Sequence, residues 1–340
     1  MQKTAVVVTT ISGPNPVLVS LAELCQKQDW TFYVIGDVKS PPDFLLDGCR
    51  YLDIQAQLKT GLRTAEEVPT RHYARKNIGY LLAARDKAEV IVETDDDNFP
   101  MPEFGGQRQR RSEAPVVSNG THTGAGSTWV NAYRYFADYF IWPRGFPLQS
   151  VRSEAKPYEQ LEVAASDCPI QQGLADENPD VDAIYRLLLP LPQSFRHDRR
   201  IVLGKGAWCP FNSQNTTWWR EAFLLLYLPA YCSFRMTDIW RSFVAQRIAW
   251  ENGWGILFHE PTVWQERNEH NLLTDFKDEV PGYLGNHRIA ELLDALPLKS
   301  GTAHIADNLL VCYEKLIAEK FFDPAELKLV EAWIEDLAHS

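Results

Sequence analysis

Three consecutive aspartates, Asp95, Asp96 and Asp97, follow directly on the largely apolar run 88–94. Adjacent carboxylates repel one another and lose solvation when buried, so a strand that ends in three of them is suited to holding a hard divalent cation. On an extended chain Asp95 and Asp97 point to the same side. This spacing favours Mg²⁺ or Mn²⁺ bridging two carboxylates to a diphosphate. The alternative is a solvated turn rich in Asp and Asn, which the cluster alone leaves equally open.

The segments ahead of this cluster predict an α/β nucleotide-binding domain. Residues 4–11 are apolar and β-branched, and a loop and an amphipathic helix ending near Gln28 follow them. Residues 30–35 repeat the strand pattern just before Asp37, and a helical pattern over 71–87 leads into the strand that ends in the aspartates. Ligands of open α/β sheets bind outside the carboxyl ends of the strands. Asp37 is therefore expected either at a base or ribose or as a turn residue.

Composition and charge argue against three classes of protein: nucleic-acid binders, zinc or disulfide-framework proteins, and membrane-spanning proteins. A chain of 340 residues with a net charge of −11 is a poor general nucleic-acid binder, because affinity for the phosphate backbone comes from Lys and Arg. Its six cysteines form no Cys-x-x-Cys pair, which argues against a zinc site or a disulfide framework. No apolar run reaches membrane-spanning length. We expect a cytoplasmic protein without a transmembrane segment, and leave open peripheral binding at the inner membrane.

Segments 74–79, 83–84 and 90–97 together resemble the helix-and-strand unit of glycosyltransferases of the GT-A fold, in which a helix bearing Arg and Asn precedes an Asp-x-Asp strand. The resemblance implies a donor site with Arg75 and Lys76 on the diphosphate. The residues expected to bind the nucleotide diphosphate sugar are Thr9, Thr10, Asp37, Arg75, Lys76, Asn77, Asp95 and Asp96.

Several longer stretches resemble the STELLO family, a group of glycosyltransferase-like proteins best known from plant Golgi membranes. They span roughly residues 4 to 280 and comprise 8–11, 75–80, 95–98, 179–187, 210–216, 235–242 and 265–271. Nothing in the sequence resembles the transmembrane anchor of the plant proteins, so their Golgi setting is not expected here.

GT-A enzymes commonly carry an acidic residue at the start of an acceptor-side helix and a late histidine on the metal. Asp238 opens a helical pattern with one apolar face, so it is expected at the cleft as the catalytic residue that accepts the acceptor's proton or stabilises charge in the transition state. Capping that helix beside Thr237 is the alternative, and the two roles are compatible. His270 lies in a polar stretch and is expected on the metal or the diphosphate, with simple surface exposure as the alternative. The expected metal ligands are therefore Asp97, Asp95 and His270.

Two further polar groups are expected at the sugar or the acceptor. Asp180, Asp182 and Arg186 precede an apolar run, where they either bind sugar hydroxyls or cap the helix 183–189. Amide side chains near two tryptophans have the character of a sugar-binding surface. The full expected set is Asp180, Asp182, Arg186, Asn212, Gln214, Asn215, Arg241 and Arg267.

These features predict a GT-A-like, single Rossmann-type α/β domain with a mixed central sheet over residues 1–282. Its nucleotide-binding half would be about 1–118 and its acceptor-side half about 119–282, with a C-terminal helical extension over 283–340. The expected activity is Mn²⁺- or Mg²⁺-dependent transfer of a sugar, from a UDP-sugar by preference, to a glycan or other hydroxyl acceptor.

Two rival functions stay open. A sugar nucleotidyltransferase also uses metal-binding carboxylates on an α/β domain, but it usually carries a glycine-rich basic loop after the first strand, and residues 9–16 hold one glycine and no Lys or Arg. A non-catalytic relative that binds a sugar nucleotide or a partner enzyme is the second rival. The sequence leaves the oligomeric state undetermined.

Overall fold

A computed structural model of the chain describes residues 2–118, 128–266 and 271–340. Helices and strands alternate through the first hundred residues, and the last seventy residues are mainly helical. The strands are β1 (Thr4–Thr10), β2 (Thr31–Gly36), β3 (Arg50–Leu52), β4 (Val90–Thr94), β5 (Asn98–Pro100), β6 (Arg111–Val117), β7 (Thr128–Trp129), β8 (Val163–Asp167), β9 (Ile170–Asp176), β10 (Arg200–Leu203), β11 (Ala207–Trp208), β12 (Asn215–Trp219) and β13 (Ile256–Gln265). The helices are α1 (Pro16–Gln28), α2 (Ile54–Leu58), α3 (Arg63–Glu67), α4 (Lys76–Arg85), α5 (Ala183–Leu188), α6 (Thr237–Glu251), α7 (Leu272–Asp294), α8 (Ile305–Ala318) and α9 (Ala325–Ala338).

The central sheet has the strand order β3-β2-β1-β4-β12-β9-β13-β10-β6-β8, and β5 pairs with β13 outside this path. Strands β3, β2, β1 and β4 are mutually parallel, while β12 is antiparallel to both β4 and β9. Strand β13 is parallel to β9. The carboxyl ends of β1, β2, β4, β9 and β13 therefore lie at one edge of the sheet. The predicted α/β class with a mixed central sheet is confirmed.

The predicted strand, helix and strand at the start of the chain are also confirmed, and local chemistry explains their limits. Asn15 caps α1, since its side chain accepts a hydrogen bond from the backbone N–H of Leu18 (2.9 Å), and Pro16 occupies the first helical position. The helix ends at Asp29, whose backbone is left-handed (φ 54°). The alanine and three valines of 5–8 are all buried because helices cover both faces of β1, α1 on one face and α4 on the other.

The C-terminal helices belong to the same core as the sheet. Helix α9 packs against α3 and α4, and Trp333 on α9 is fully buried beside the ring of Tyr80. The carboxylate of Asp336 accepts hydrogen bonds from the backbone N–H groups of Arg63 (3.0 Å) and Thr64 (2.7 Å). None of the described helices combines the length and the apolarity needed to cross a bilayer.

Two predicted boundaries do not match these contacts. Helix α7 begins at Leu272 and continues through Pro281, so a boundary between 282 and 283 would cut it in the middle. Strand β6 ends at Val117 but pairs with β8 and β10, so a division at 118 would assign it to the wrong half of the sheet. The helical content predicted for the tail is present, as part of α7 and as α8 and α9.

One buried carboxylate fixes α9 to the segment ahead of α6. Glu326 is fully buried and accepts hydrogen bonds from the backbone N–H groups of Ala230 (3.1 Å) and Tyr231 (2.7 Å) and from the hydroxyl of Tyr227. Burial raises the pKa of Glu326 to about 7, although these donors oppose the shift. Removing this acceptor leaves three buried donors without a partner.

We therefore expect Glu326→Ala to lower the free energy of unfolding by about 3 kcal/mol, because unpaired buried polar groups keep their full desolvation cost. Urea denaturation followed by tryptophan fluorescence and by far-ultraviolet circular dichroism measures this loss. Glu331→Ala, an exposed position on the same helix, is the control and should change little. If the helices formed an independent extension, Glu326→Ala would instead split unfolding into two transitions and leave the later one at its original midpoint.

Candidate functional site

Two adjoining cavities open at the carboxyl ends of β1, β2 and β4. The first, here called the β2 cavity, has a volume of about 300 Å³ and lies against the end of β2. The second, the aspartate cavity, has a volume of about 420 Å³ and is lined by all three consecutive aspartates. Five residues line both cavities: Thr9, Ile11, Tyr73, Asp96 and Phe234. The two cavities thus form one continuous cleft at the predicted edge of the sheet.

Aromatic rings form one wall of the β2 cavity. The rings of His72 and Tyr73 stack with centroids 5.6 Å apart, and Phe234 lies edge-on to both, 5.2 Å and 5.0 Å away. The Phe234 side chain is 47% exposed. Burial lowers the pKa of His72 to about 4, so its imidazole is neutral near pH 7. The wall is therefore apolar and uncharged, with an exposed aromatic surface available for stacking.

Asp37 also lines the β2 cavity, beside the aromatic wall, and is a turn residue as well. Its carboxylate accepts hydrogen bonds from the backbone N–H groups of Val38 (2.6 Å) and His72 (3.0 Å). Both roles that the sequence left open for Asp37 are thus compatible with its position. Thr9 and Thr10 line the same cavity, as expected.

Two cations at the β2 cavity were not predicted. Lys39 and Arg71 line it, are exposed and form no ion pair within the described residues. Arg71 has a left-handed backbone (φ 59°), a conformation that non-glycine residues seldom adopt. The sequence signal that could have identified them is their position, directly after the end of β2 and directly before the 3₁₀ turn that starts α4.

A buried ion pair lies behind the aspartates. The Lys76 side chain is completely buried, and its ammonium donates hydrogen bonds to the Asp95 carboxylate (2.7 Å) and to the carbonyl oxygen of Thr94 (2.9 Å). The Asp95 side chain is 37% exposed and faces the aspartate cavity. Burial raises the pKa of Asp95, and the charges of Asp238 and Asp96 add to this effect while Lys76 opposes it. Negative charge at this point is thus only partly compensated by the protein.

The three aspartates occupy a turn between β4 and β5, so the prediction that Asp95 and Asp97 point to one side of an extended chain is wrong. Asp96 accepts a hydrogen bond from the Thr10 hydroxyl (2.5 Å), and burial raises its pKa. Asp97 accepts one from the side-chain amide of Gln265 (2.9 Å). Each carboxylate has its own protein partner, yet all three line the same cavity.

Arg144 joins two carboxylates on the far wall of the aspartate cavity. Its guanidinium donates to both oxygens of Asp180 (2.8 and 2.9 Å) and to Asp238 (2.9 Å). The backbone N–H of Ser213 also donates to Asp238 (3.2 Å), and the Asn212 amide donates to Asp180 (2.9 Å). No motif near Arg144 points to this role, because its partners come from distant parts of the chain.

These contacts determine the protonation of Asp238. Burial acts to raise its pKa, but the Arg144 charge and hydrogen bonds outweigh that effect, and the pKa of Asp238 falls to about 2. The carboxylate is therefore ionised at any physiological pH. Asp238 lies in the first turn of α6 and lines the cleft, as predicted, while its hydrogen bonds go to groups outside that helix except for the N–H of Ile239.

Several residues expected on the ligand are instead used to build the fold. The Arg75 guanidinium donates to the Gln57 side chain (2.7 Å) and to the carbonyl oxygen of Val68 (2.8 Å). Asn77 exchanges two hydrogen bonds with the backbone of Leu228 (2.8 and 2.9 Å). Lys76 is committed to Asp95. Lys76 and Asn77 thus face the core. Arg75 lines the β2 cavity but is only 2% exposed, and its guanidinium is hydrogen-bonded to the protein.

Arg241 also differs from its prediction. It is 1% exposed and pairs with the fully buried Glu93 (2.8 Å), beneath the ring of Trp218. A side chain enclosed in this way does not reach a substrate in the cleft.

The other predicted sugar-binding residues divide into cleft-lining and structural groups. Asp182 is the N-cap of α5, because its carboxylate accepts a hydrogen bond from the backbone N–H of Tyr185 (2.8 Å). The alternative prediction, that Asp182 caps this helix, is confirmed. Burial raises the pKa of Asp182 to about 6. Arg186 donates to the Pro179 carbonyl oxygen (2.9 Å). The Asn215 amide donates to the Leu174 carbonyl oxygen (2.9 Å) and is buried. Of the predicted set, Asp180 and Gln214 line the aspartate cavity.

The donor set at the aspartates suits a hard cation that is shared with a ligand. Among the described residues, no group of three His, Cys, Asp or Glu side chains is arranged to hold a metal ion by itself. Two or three carboxylates in an open cavity do fit Mg²⁺ or Mn²⁺, since Mg²⁺ normally takes one or two carboxylates together with water and phosphate oxygens. The predicted His270 and Arg267 lie outside the described residues.

The chain is similar in sequence to the STELLO proteins. Residues 235–340 match the family model described as STELLO glycosyltransferases. The chain is 28% identical over 348 residues to "Probable glycosyltransferase STELLO2" of Arabidopsis thaliana, covering 98% of this chain and 44% of the relative. It is 27% identical to "Probable glycosyltransferase STELLO1" of the same plant with equal coverage. The resemblance to the STELLO proteins is confirmed.

The STELLO similarity extends further than the sequence motifs indicated. Its coverage of 98% of this chain includes α8 and α9, beyond the predicted limit near residue 280. The chain spans less than half the length of either STELLO relative. A solved structure, titled "Crystal Structure of a Mycobacterial Protein", aligns with a TM-score of 0.42 at 12% identity, covering 87% of this chain and 76% of the other.

We expect Lys76→Met to lower the free energy of unfolding by about 2 kcal/mol. Breaking a fully buried pair costs roughly 3–5 kcal/mol, but Asp95 is partly exposed and solvent reduces the penalty. The double variant Lys76→Met, Asp95→Asn should recover part of that loss, because it removes the stranded charge. Chemical denaturation measures both, with the exposed Lys59→Met as control. Equal losses in the single and double variants would show that the two side chains are not coupled.

Proposed function

We propose that this chain is a glycosyltransferase that binds a nucleotide diphosphate sugar along the continuous cleft and transfers its sugar to a hydroxyl acceptor. The observation that carries the proposal is that the β2 cavity and the aspartate cavity meet at Asp96 and Tyr73. A nucleotide sugar has the same two-part form, an aromatic nucleoside joined through a diphosphate to a polar sugar. The similarity to proteins named as glycosyltransferases supports the same assignment.

The β2 cavity suits the nucleoside. Its volume of about 300 Å³ and its aromatic wall of His72, Tyr73 and Phe234 match the size and flat faces of a pyrimidine nucleoside. Asp37 lines the same cavity, where its carboxylate can accept a hydrogen bond from a base or ribose. A uridine nucleotide is therefore the donor that we propose to test first.

The diphosphate would lie between the two cavities. Because Arg75 and Lys76 are committed to the protein, we assign the contact with phosphate to the unpaired Lys39 and Arg71. Asp95 and Asp97 would hold a divalent cation together with phosphate oxygens, and that cation would supply charge neutralisation as the diphosphate leaves.

In the transfer itself, the bond between the anomeric carbon and the diphosphate oxygen breaks, and its electron pair leaves with the nucleoside diphosphate. The acceptor oxygen forms the new bond to the anomeric carbon and loses its proton to a carboxylate or to solvent. A carboxylate with a pKa of about 2 is a weak base, so Asp238 is poorly suited to take that proton. We assign Asp238, through Arg144, to holding the acceptor-side wall in place.

The metal assignment predicts that UDP binding depends on both Mg²⁺ or Mn²⁺ and Asp97. Asp97→Ala should weaken UDP at least tenfold and abolish the response of UDP affinity to the cation, because the remaining carboxylates cannot replace a direct metal ligand without rearranging. Isothermal titration calorimetry with and without EDTA measures this. Asp43→Ala, an exposed aspartate outside the cleft, is the control. Unchanged UDP affinity in EDTA would contradict the metal, whereas absence of UDP binding by the wild-type chain would contradict the donor.

The assignment of Asp238 predicts equal effects of Asp238→Asn and Asp180→Asn. Both substitutions remove one carboxylate from the same Arg144 guanidinium, so the release of UDP from a UDP-sugar should slow by about tenfold in each, through misplacement of the wall. If Asp238 were the catalytic base, its substitution alone would cost about a hundredfold or more while Asp180→Asn stayed near normal. Steady-state rates beside melting curves distinguish the two roles.

A further inference from the structure

A third cavity lies away from the cleft and shares no lining residue with it. It has a volume of about 480 Å³ and lies over β13, β10 and the start of β6. Along β13, Ile256 and Phe258 face the large core, so Leu257 and His259 face the other side of the sheet, where this cavity opens. The loop 106–109 closes one side of it. We call it the β13 cavity.

The β13 cavity contains an arginine held in an unusual position. The half-buried Arg108 guanidinium lies over the rings of Trp30 (5.5 Å) and Phe104 (5.3 Å), which fix its plane. Within the described residues it forms a single hydrogen bond, to the carbonyl oxygen of Gly106 (3.3 Å), and no ion pair. Burial lowers the pKa of Arg108 to about 10. A guanidinium has five donors, so most of them are free to bind a ligand.

A second free guanidinium lines the same cavity. Arg111 is exposed at the start of β6 and makes no ion pair within the described residues. The third arginine of the lining, Arg200, is neutralised by a two-point ion pair with Glu260 (2.9 and 3.2 Å). Glu103 and Glu113 also line the cavity but are exposed, where solvent and salt screen their charge. The lining therefore carries one half-buried guanidinium, Arg108, and one exposed guanidinium at the rim, Arg111, neither in an ion pair with a described residue.

Apart from the apolar Leu257, the remaining lining is polar and uncharged. Burial lowers the pKa of His259 to about 4, and its Nδ1 contacts the carbonyl oxygen of Glu260 (2.8 Å), so the neutral ring offers Nε2 as an acceptor. Ser112 and the side chain of Gln107 add hydroxyl and amide groups. Such groups pair with sugar hydroxyls.

We propose that the β13 cavity binds a small molecule carrying a phosphate monoester, and that Arg108 and Arg111 recognise its dianion. A phosphate monoester carries nearly two negative charges near pH 7, which matches two guanidiniums, and planar guanidiniums bind phosphate oxygens in pairs. The volume of about 480 Å³ leaves room beyond the phosphate for a sugar-sized body. This inference does not depend on the function proposed for the cleft.

The test is calorimetric titration of the whole chain with glucose 6-phosphate, inorganic phosphate and glucose. We expect both phosphates to bind, the sugar phosphate more tightly, and glucose alone not to bind. Tighter inorganic phosphate would assign the cavity to the free anion and overturn the sugar-phosphate part of the proposal. Equal responses to phosphate and to chloride at matched ionic strength would overturn the site altogether.

Substitutions of Arg108 and Arg111 test whether glucose 6-phosphate binds in the β13 cavity. Arg108→Gln should weaken glucose 6-phosphate at least tenfold, since a charged hydrogen bond contributes roughly 1.5–3 kcal/mol. Arg152→Gln is the matched control, because Arg152 also lies over a ring, that of Phe140 (5.5 Å), outside the cavity. If Arg108→Gln folds poorly, Arg111→Gln at the exposed rim supplies the same test. Unchanged affinity in both variants would overturn the proposal.

Competition between glucose 6-phosphate and UDP distinguishes binding in the β13 cavity from binding in the cleft. Saturating glucose 6-phosphate should leave UDP affinity within twofold, and Asp97→Ala should leave glucose 6-phosphate affinity unchanged. Mutual exclusion of UDP and glucose 6-phosphate would place the phosphate in the cleft and refute a separate site. A chain that binds glucose 6-phosphate and not UDP would refute the proposed function and leave this inference standing.

Discussion

The buried ammonium of Lys76 is the contact around which the cleft is organised. A charged amine removed from water is stable only where acceptors replace its hydration, and here the Asp95 carboxylate and the Thr94 carbonyl oxygen do so. One residue earlier on β4, Glu93 pairs with Arg241 in the same way. Strand β4 thus receives one cation from α4 and another from α6. These pairs fix both helices relative to the strand that ends in the aspartates.

The same principle explains why so much acidic charge can gather in one cleft. Each carboxylate of the aspartate cavity accepts a hydrogen bond from the protein, and Arg144 serves Asp180 and Asp238 together. Rigid partners hold the acids apart and leave Asp95 with a raised pKa. Such incompletely compensated charge is the electrostatic condition under which a divalent cation binds favourably. The same carboxylates therefore contribute to the packing of the fold, through their donors, and to the proposed binding of a cation.

Local sequence patterns predicted the elements better than the contacts. The strand, helix and strand over 4–36 and the position of the aspartates at the cleft followed from periodicity and from the geometry of parallel sheets. The inward direction of Arg75 and Asn77 did not, because their hydrogen-bond partners are backbone groups and a side-chain amide elsewhere in the fold. Arg144 was missed for the same reason. Pro281 normally ends a helix, and only tertiary packing shows that α7 continues through it.

The docking of α9 on α3 has a consequence for how the chain acquires its structure. Asp336 accepts a hydrogen bond from Thr64, 272 residues earlier, and the ring of Trp333 completes the packing around Tyr80. Contacts between residues so distant in sequence form late, since a long loop must close before they are gained. During synthesis α3 and α4 leave the ribosome before α9 has been made, so the surface that α9 covers stays exposed until then. Until then an apolar face is exposed, so a chain interrupted before α9 would depend on chaperones rather than fold as a smaller unit.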